Sequence, residues 1–392
     1  MRSIIPYAKH SISEEDIDAV KKTLKSKNLT QGPEVKKFES IFSKNIGVKH
    51  SIAVNSCTSA LHLSCLALNL KKNDIVWTSP NSFVASSNSA LYCGAKVDFI
   101  DIDLETNSIS LNELEKKLKI AKKKKKLPKI LISVHFGGAP NYQDKIHKLS
   151  KKYNFKIIED ACHALGAKYL NQKMGNCKWS DITVFSFHAA KVITTGEGGM
   201  VTTNNKELYN KILMLRSHGI TRDPAKLLKN KNNRLYYEQQ YLGYNFRLTD
   251  FQASLGISQL KKLNKFVNIR NKIALFYNKE FKKLPLKIPK IDKSSYSAYH
   301  LYVILLKYGI RKKLIKFLES KNIYPSFHYI PIYHQPYYKM LGFKKNNFPN
   351  TEEYFKSALS LPMYPTIKTV ELKKITKNIN LFFHDKKNFI FK

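Results

Sequence analysis

The chain has 392 residues, 43% of them hydrophobic, and a formal net charge of +39. That length exceeds what one small core serves, so two domains are expected. No run is apolar over the roughly 20 residues a membrane span needs, and the opening MRSIIPYAKHSISEED has no apolar stretch of the secretory kind.

Residues 1–30 read as an arm. An extended start (SIIPYAK) leads to a helix with Ser13 as N-cap and acids in its first turn (SEEDIDAVKKTLKS), followed by NLTQG. From 31 to 255 the pattern alternates. Strand-like runs are SIAV, DIVWTS, KVDFIDI, KILISVH, FKIIED, ITVFSF and GMVTT, and helical runs separate most of them. Such alternation predicts an α/β domain with a mostly parallel seven-stranded sheet between helices. In such sheets ligands gather at the carboxyl ends of strands. From 256 to 392 a long helical pattern (FQASLGISQLKKLNKFVNIRNKIALFYNKEFKKL, starting at 251) leads into a smaller α+β unit with the strand YHLYVILL, the helices RKKLIKFLESKN and TVELKKITKNINLFF, and a lysine-rich tail.

The charge excess is nearly all lysine and is spread along the chain, which points to compositional bias rather than a nucleic-acid surface. The dense run Lys122 to Lys126 reads as a solvated loop. The five cysteines are scattered without CxxC spacing, which argues against a disulfide framework and against a metal site. A cytoplasmic setting is the simplest expectation.

Five segments carry chemistry. In FSFHAAKVITTGEGGM, Lys191 follows an apolar strand and precedes a Thr/Gly-rich loop, so its amine is little crowded. In EDACHALGA, Asp160 closes a strand, with His163 three residues on; taken alone, each reads equally well as a helix cap and a structural histidine. NSCTSAL follows a strand and opens a helix, so Cys57 and Thr58 offer free N–H groups of the kind that bind phosphate, or merely cap the helix. Phe83 in TSPNSFVAS follows a strand and is either an exposed ring or core. Asn245 and Arg247 lie in GYNFRLTDFQASLG, where an ordinary turn is the plain alternative.

These segments, in this order, resemble the sugar aminotransferases of the DegT/DnrJ/EryC1/StrS family, a branch of fold-type I enzymes dependent on pyridoxal 5′-phosphate (PLP). The resemblance runs from NLTQG to ISLPMYP. It implies that Lys191 holds the cofactor aldehyde and that Asp160 holds the pyridine nitrogen protonated. It places Phe83 on the ring and His163 near the ring or its 3-oxygen. Cys57, Thr58 and Ser186 fall at the phosphate, joined by Asn245 from the neighbouring subunit of a homodimer. Relatives that act as 3-dehydratases carry His at the lysine position, so Lys191 implies transamination. Ala189–Ala190 depart from the Pro that many relatives have before the lysine. The runs LTQGPEVKKFE, HFGGAP, RSHGITRDP, YYEQQYLGYNFRLTD and HYIPIYHQPYY are similar to those of the branch serving pseudaminic acid synthesis. That likeness implies L-glutamate as amine donor and UDP-2-acetamido-2,6-dideoxy-β-L-arabino-hex-4-ulose as acceptor. The groove for the nucleotide sugar would then be lined by Tyr7, Lys27, Asn28, Leu29, Thr30, Arg247, His328 and Tyr329, with Lys27 and Arg247 nearest the diphosphate.

Overall fold

A computed structural model describes residues 4–229, 233 and 235–385. The lysine-rich tail from 386 onward lies outside the described residues. The seven strand-like runs all form strands of one sheet: β1 (His50–Val54), β2 (Ile75–Thr78), β3 (Lys96–Phe99), β4 (Ile130–Val134), β5 (Lys156–Asp160), β6 (Ile182–Ser186) and β7 (Gly199–Thr203). Their spatial order is β1-β7-β6-β5-β4-β2-β3. Only β7 runs antiparallel to its neighbours β1 and β6, while the other pairings are parallel.

The central strands are buried along their whole length, as parallel strands covered by helices on both faces must be. Strand periodicity then sends alternate side chains to opposite cores. Ile182 and Val184 of β6 join Ile52, Leu61 and Ile158 on one face, whereas Phe185 and Phe187 join Phe38, Phe42 and Met200 on the other.

The helices follow their sequence signals. In α1 (Glu14–Leu24), Ser13 is the N-cap and acids fill the first turn. Helix α2 (Pro33–Ile46) starts on Pro33 and stops at Gly47, whose φ of 81° is the left-handed cap that glycine adopts without a Cβ clash. Helix α3 (Cys57–Ala67) is apolar and buried nearly all round, packed between the sheet and α4 (Ala85–Tyr92). In α5 (Leu111–Lys123), Ser110 caps the N-terminus, and Leu114, Leu118 and Ala121 face the core at i, i+4, i+7 spacing. Lys122 and Lys123 belong to the last turn of this helix rather than to the loop, Lys124 to Lys126 follow it, and all five are exposed, as the solvated reading expected. Helices α6 (Gln143–Tyr153) and α7 (Lys206–Arg216) complete the layers.

The long helical pattern after 250 is not one helix. It breaks at Lys262 into α8 (Asp250–Lys261) and α9 (Leu263–Phe281). The Lys262 ammonium is 2.8 Å from the Asp16 carboxylate of α1, which is fully buried and also accepts a hydrogen bond from Gln259 at 2.7 Å. A tertiary ion pair of this kind leaves no trace in the hydrophobic period.

Helix α9 joins two cores. Its start (Leu263, Phe266, Val267) packs with the sheet, and its end (Ile273, Tyr277, Phe281) packs in the C-terminal core. That second core surrounds a three-stranded sheet of β8 (Leu286–Lys287), β9 (Tyr302–Leu306) and β10 (Ala358–Leu361). It also takes in α10 (Ile310–Ser320) and a last helix, α11 (Thr369–His384). The arm docks on this unit: Ile5 pairs with Ile323, and Tyr7 accepts the Met363 N–H at 3.0 Å.

Candidate active site

A cavity of about 470 Å³ lies where β1, β2, β4, β5 and β6 end, and the C-terminal unit and the arm close over it. Every cofactor residue expected from sequence except Asn245 lines it: Cys57, Thr58, Phe83, Asp160, His163, Ser186 and Lys191. Three of the expected sugar-site residues line it too, Tyr7, His328 and Tyr329.

Strand β6 delivers the lysine. After Ser186 the chain turns tightly, and the Lys191 N–H donates to the His188 carbonyl at 2.9 Å. The Thr/Gly loop that follows is stapled to itself. Thr194 Oγ1 donates to the Phe187 carbonyl (2.9 Å), the Gly196 N–H to Thr194 Oγ1 (2.8 Å) and the Phe187 N–H to the Gly198 carbonyl (2.9 Å). Gly199 then opens β7 against the start of α3. A Cβ there would stand 2.6 Å from the Ser56 carbonyl oxygen and 2.8 Å from the Cys57 nitrogen, so only glycine lets the lysine loop lie against the helix N-terminus.

That N-terminus is an anion cup. Ser56 caps it, its Oγ accepting the Ser59 N–H at 3.1 Å. The first-turn N–H groups of Cys57 and Thr58 have no partner within the helix, and the helix dipole favours negative charge there. Ser186 Oγ accepts the His188 N–H at 3.3 Å, which leaves its own proton to donate.

Asp160 is buried at the end of β5. Its Oδ2 accepts the Ser86 hydroxyl at 2.7 Å, and its Oδ1 accepts the Cys162 N–H at 3.2 Å. Ser86 in turn contacts Ser82 at 2.8 Å. A carboxylate clamped in this way presents a fixed anion to the cavity.

Four histidines line the cavity: the exposed His188, and His163, His300 and His328. His163 Nδ1 accepts the Gly137 N–H at 3.2 Å, which sets the tautomer: Nε2 carries the proton and donates to Tyr329 Oη at 3.0 Å. Its ring lies 4.3 Å, centroid to centroid, from that of His300. His328 pairs with Ser360 at 2.9 Å and faces Tyr7, ring to ring, at 5.4 Å. Burial, then the Lys191 charge, holds His163 well below its ordinary pKa and His328 at about 4. Burial, then His163 and Lys191, does the same for His300. All three are neutral near pH 7.

The structure separates the other expected residues from this cavity. Lys27, Asn28, Leu29, Thr30 and Asn245 are exposed and Arg247 is half-buried, and none of them lines it. They share one strip instead. Thr30 pairs with Thr249, the Leu29 carbonyl accepts the Asp250 N–H at 2.9 Å, and Arg247 pairs with Val54 at the end of β1. Asp250 fixes the strip by accepting the N–H groups of Gly32 (2.8 Å) and Glu34 (2.9 Å).

The donor set fits PLP. One cavity holds a primary amine, a buried carboxylate, a helix N-terminus with a hydroxyl beside it, and an aromatic side chain, Phe83, that keeps 59% of its surface open. An exposed phenyl ring facing a cavity is available to stack on a second flat ring. Sequence reasoning did not single out Ser82, Ser86, Cys162 or His300, all of which line the cavity. Ser86 and His300 carry no local signal, because long-range packing brings them there. Cys162 was visible only as a residue beside Asp160.

Fold and site together define a PLP-dependent aminotransferase of the fold-type I class. The model of the DegT/DnrJ/EryC1/StrS aminotransferase family matches residues 10–380, and the chain belongs to that family. It is 41% identical over 379 residues to a UDP-4-amino-4,6-dideoxy-N-acetyl-beta-L-altrosamine transaminase of Campylobacter jejuni, covering 94% of this chain and 95% of the relative. Among solved structures it is similar to Helicobacter pylori PseC, an aminotransferase involved in the biosynthesis of pseudoaminic acid. The TM-score is 0.88 at 32% identity, over 97% of this chain and 99% of the other. A Streptococcus pneumoniae sugar aminotransferase in its PLP form also matches, with a TM-score of 0.88 at 26% identity over 98% of this chain and 100% of that one. The cofactor of this chain is PLP, and its reaction class is transamination of a sugar. No helix among the described residues is long and apolar enough to cross a membrane.

Proposed function

We propose that this aminotransferase moves the amino group of L-glutamate to C4 of UDP-2-acetamido-2,6-dideoxy-β-L-arabino-hex-4-ulose, a step of pseudaminic acid synthesis. The observation that carries this reading is the convergence of Lys191, Asp160 and the start of α3 on one cavity, within a chain similar throughout to transaminases of that name. Bound there, PLP supplies a carbonyl that can carry an amino group and a pyridinium ring that takes up electron density.

The chain's own groups do the rest. Lys191 Nζ would hold the cofactor at its carbonyl, and it is the amine placed to take a proton from Cα of glutamate and to deliver one to C4 of the sugar. Asp160, held by Ser86, would keep the ring nitrogen protonated. Cys57, Thr58 and Ser186 would bind the phosphate, and Phe83 would face the ring. His163 donates its single proton to Tyr329 and so orients that phenol over the cavity. Tyr7, His328 and Tyr329 close the sugar side and exclude water.

In this reading the active unit is a homodimer. Asn245, Lys27 to Thr30 and Arg247 serve the neighbouring subunit's cavity, which is supported by their exposure on one strip away from their own. Leu29, 47% exposed within that strip, suits a surface covered by a second copy.

The test is a comparison of keto-sugars. The chain is coupled either to a C5-inverting dehydratase that makes the L-arabino sugar or to a non-inverting 4,6-dehydratase, with glutamate as donor, and the products are assigned by NMR. A higher kcat/KM for the L-arabino sugar and a C4-amino product are expected. A markedly higher kcat/KM for the D-xylo sugar would reject this substrate and leave the sugar aminotransferase class intact.

A further inference from the structure

We propose that Cys57, Cys162 and Asp160 form a site for a soft divalent cation in the cofactor cavity, and that metal and cofactor exclude one another. The scattered cysteines, without CxxC spacing, argued against a metal site, and Cys57 and Cys162 are 105 residues apart. The fold brings them together. Their sulfurs are 2.7 Å apart, and both lie within 4.8 Å of an Asp160 carboxylate oxygen.

Cys57 is the first residue of α3, Asp160 stands at the end of β5 and Cys162 in the turn that follows, all three at the cavity wall. The Cys162 N–H is tied to Asp160 itself. Two sulfurs and one oxygen form the donor set of a thiophilic cation such as Zn²⁺ or Cd²⁺, and the cavity leaves the fourth tetrahedral position open. Tetrahedral coordination with metal–sulfur bonds of about 2.3 Å needs the sulfurs about 3.8 Å apart, so binding requires the two thiols to part by about 1 Å.

Thiols ligate as thiolates, so binding releases both thiol protons and strengthens as pH rises. Lys191, whose charge acts on both thiols, offsets the remaining negative charge.

Exclusion follows from shared groups. The metal takes Asp160, the partner of the cofactor ring nitrogen, and occupies the floor beside the phosphate cup. This part rests on the assignment of Asp160 made above.

The experiment uses the full-length chain stripped of PLP, mixed with Cd²⁺ or Zn²⁺ and desalted. Metal per chain is measured by elemental mass spectrometry, the Cd–thiolate band by ultraviolet absorption, and PLP loading by its visible band. One metal per chain and a thiolate band are expected, with apparent PLP affinity weakened at least about tenfold until a chelator restores it. Cys57→Ser and Cys162→Ser, also made as alanine and checked for folding by thermal melting, should each lose the band and weaken metal binding at least about tenfold. The proposal fails if wild type retains no metal, if a folded C57S/C162S double variant retains as much, or if metal and PLP bind together in full. PLP loading without metal is followed alongside, so failure of the cofactor site is read separately from failure of the thiol site.

Discussion

At the cofactor end of the cavity, Lys191, Asp160, Thr58 and Ser186 each stand at or within a few residues of a strand's carboxyl end. At the sugar end, Tyr7 comes from the arm, while His300, His328 and Tyr329 come from the C-terminal unit. The first set is fixed by one sheet, whose backbone ladder tolerates little displacement. The second depends on docking between separate cores, and its remaining expected members lie on an exposed strip. The difference suggests a division of labour. The sheet end sets the chemistry of amine transfer, and the assembled end sets which sugar is accepted.

The largest effects should come from the sheet end. Lys191→Ala is expected to lower turnover by more than about 1,000-fold, because the covalent anchor and the proton carrier go together. Single-turnover kinetics with the L-arabino sugar checks this, and substantial residual turnover would move the proton to another group. Asp160→Asn is expected to retain PLP while kcat falls by roughly 100-fold or more, since a neutral amide no longer stabilises charge on the ring nitrogen. Near-normal turnover would make Asp160 structural. Thr58→Ala or Ser186→Ala removes one hydrogen bond to a charged group, about 1.5–3 kcal/mol. PLP titration should show affinity lower by roughly 10–100-fold, with little change in kcat at saturation.

The assembled end is sharpened by mixing subunits. Lys191→Ala and an impaired Asn245→Ala variant, each inactive or nearly so, should regain measurable activity after subunit exchange, because a mixed dimer holds one intact site. No recovery despite demonstrated exchange would put Asn245 outside the shared site.

The smallest effect is on acid stability. His328 is held at about 4 against an ordinary 6.5 by burial and the Lys191 charge, and His163 and His300 are shifted the same way. Between these values the unfolded chain binds more protons than the folded one, so stability falls as pH drops from about 6.5 toward 4. His328→Gln should flatten that slope by up to one proton in pH-dependent melting. An unchanged slope would mean that His328 is not held neutral.

The same division explains what was legible in the sequence. The seven sheet strands were readable as short β-rich runs between helical patterns, the central ones apolar and buried along their length, and the residues next to their ends inherited their positions from the strands. Asp160 was visible, but Ser86, which clamps it from 74 residues away, was not. Helix α8 ends at Lys261, where Lys262 meets Asp16 of the arm helix, and nothing in the local pattern marks that break. His300 sits in an ordinary pre-strand run, and only packing against His163 brings it to the cavity. The Cys57–Cys162 contact was hidden for the same reason: it belongs to the closed fold, not to either segment.

The central claim is that Lys191 is the one lysine, in a chain crowded with them, that holds the cofactor. Borohydride reduction of the yellow holoenzyme followed by peptide mass spectrometry tests it directly. Loss of the visible band with a single pyridoxyl-modified peptide spanning Lys191 is predicted, and modification at any other lysine in its place would contradict the account.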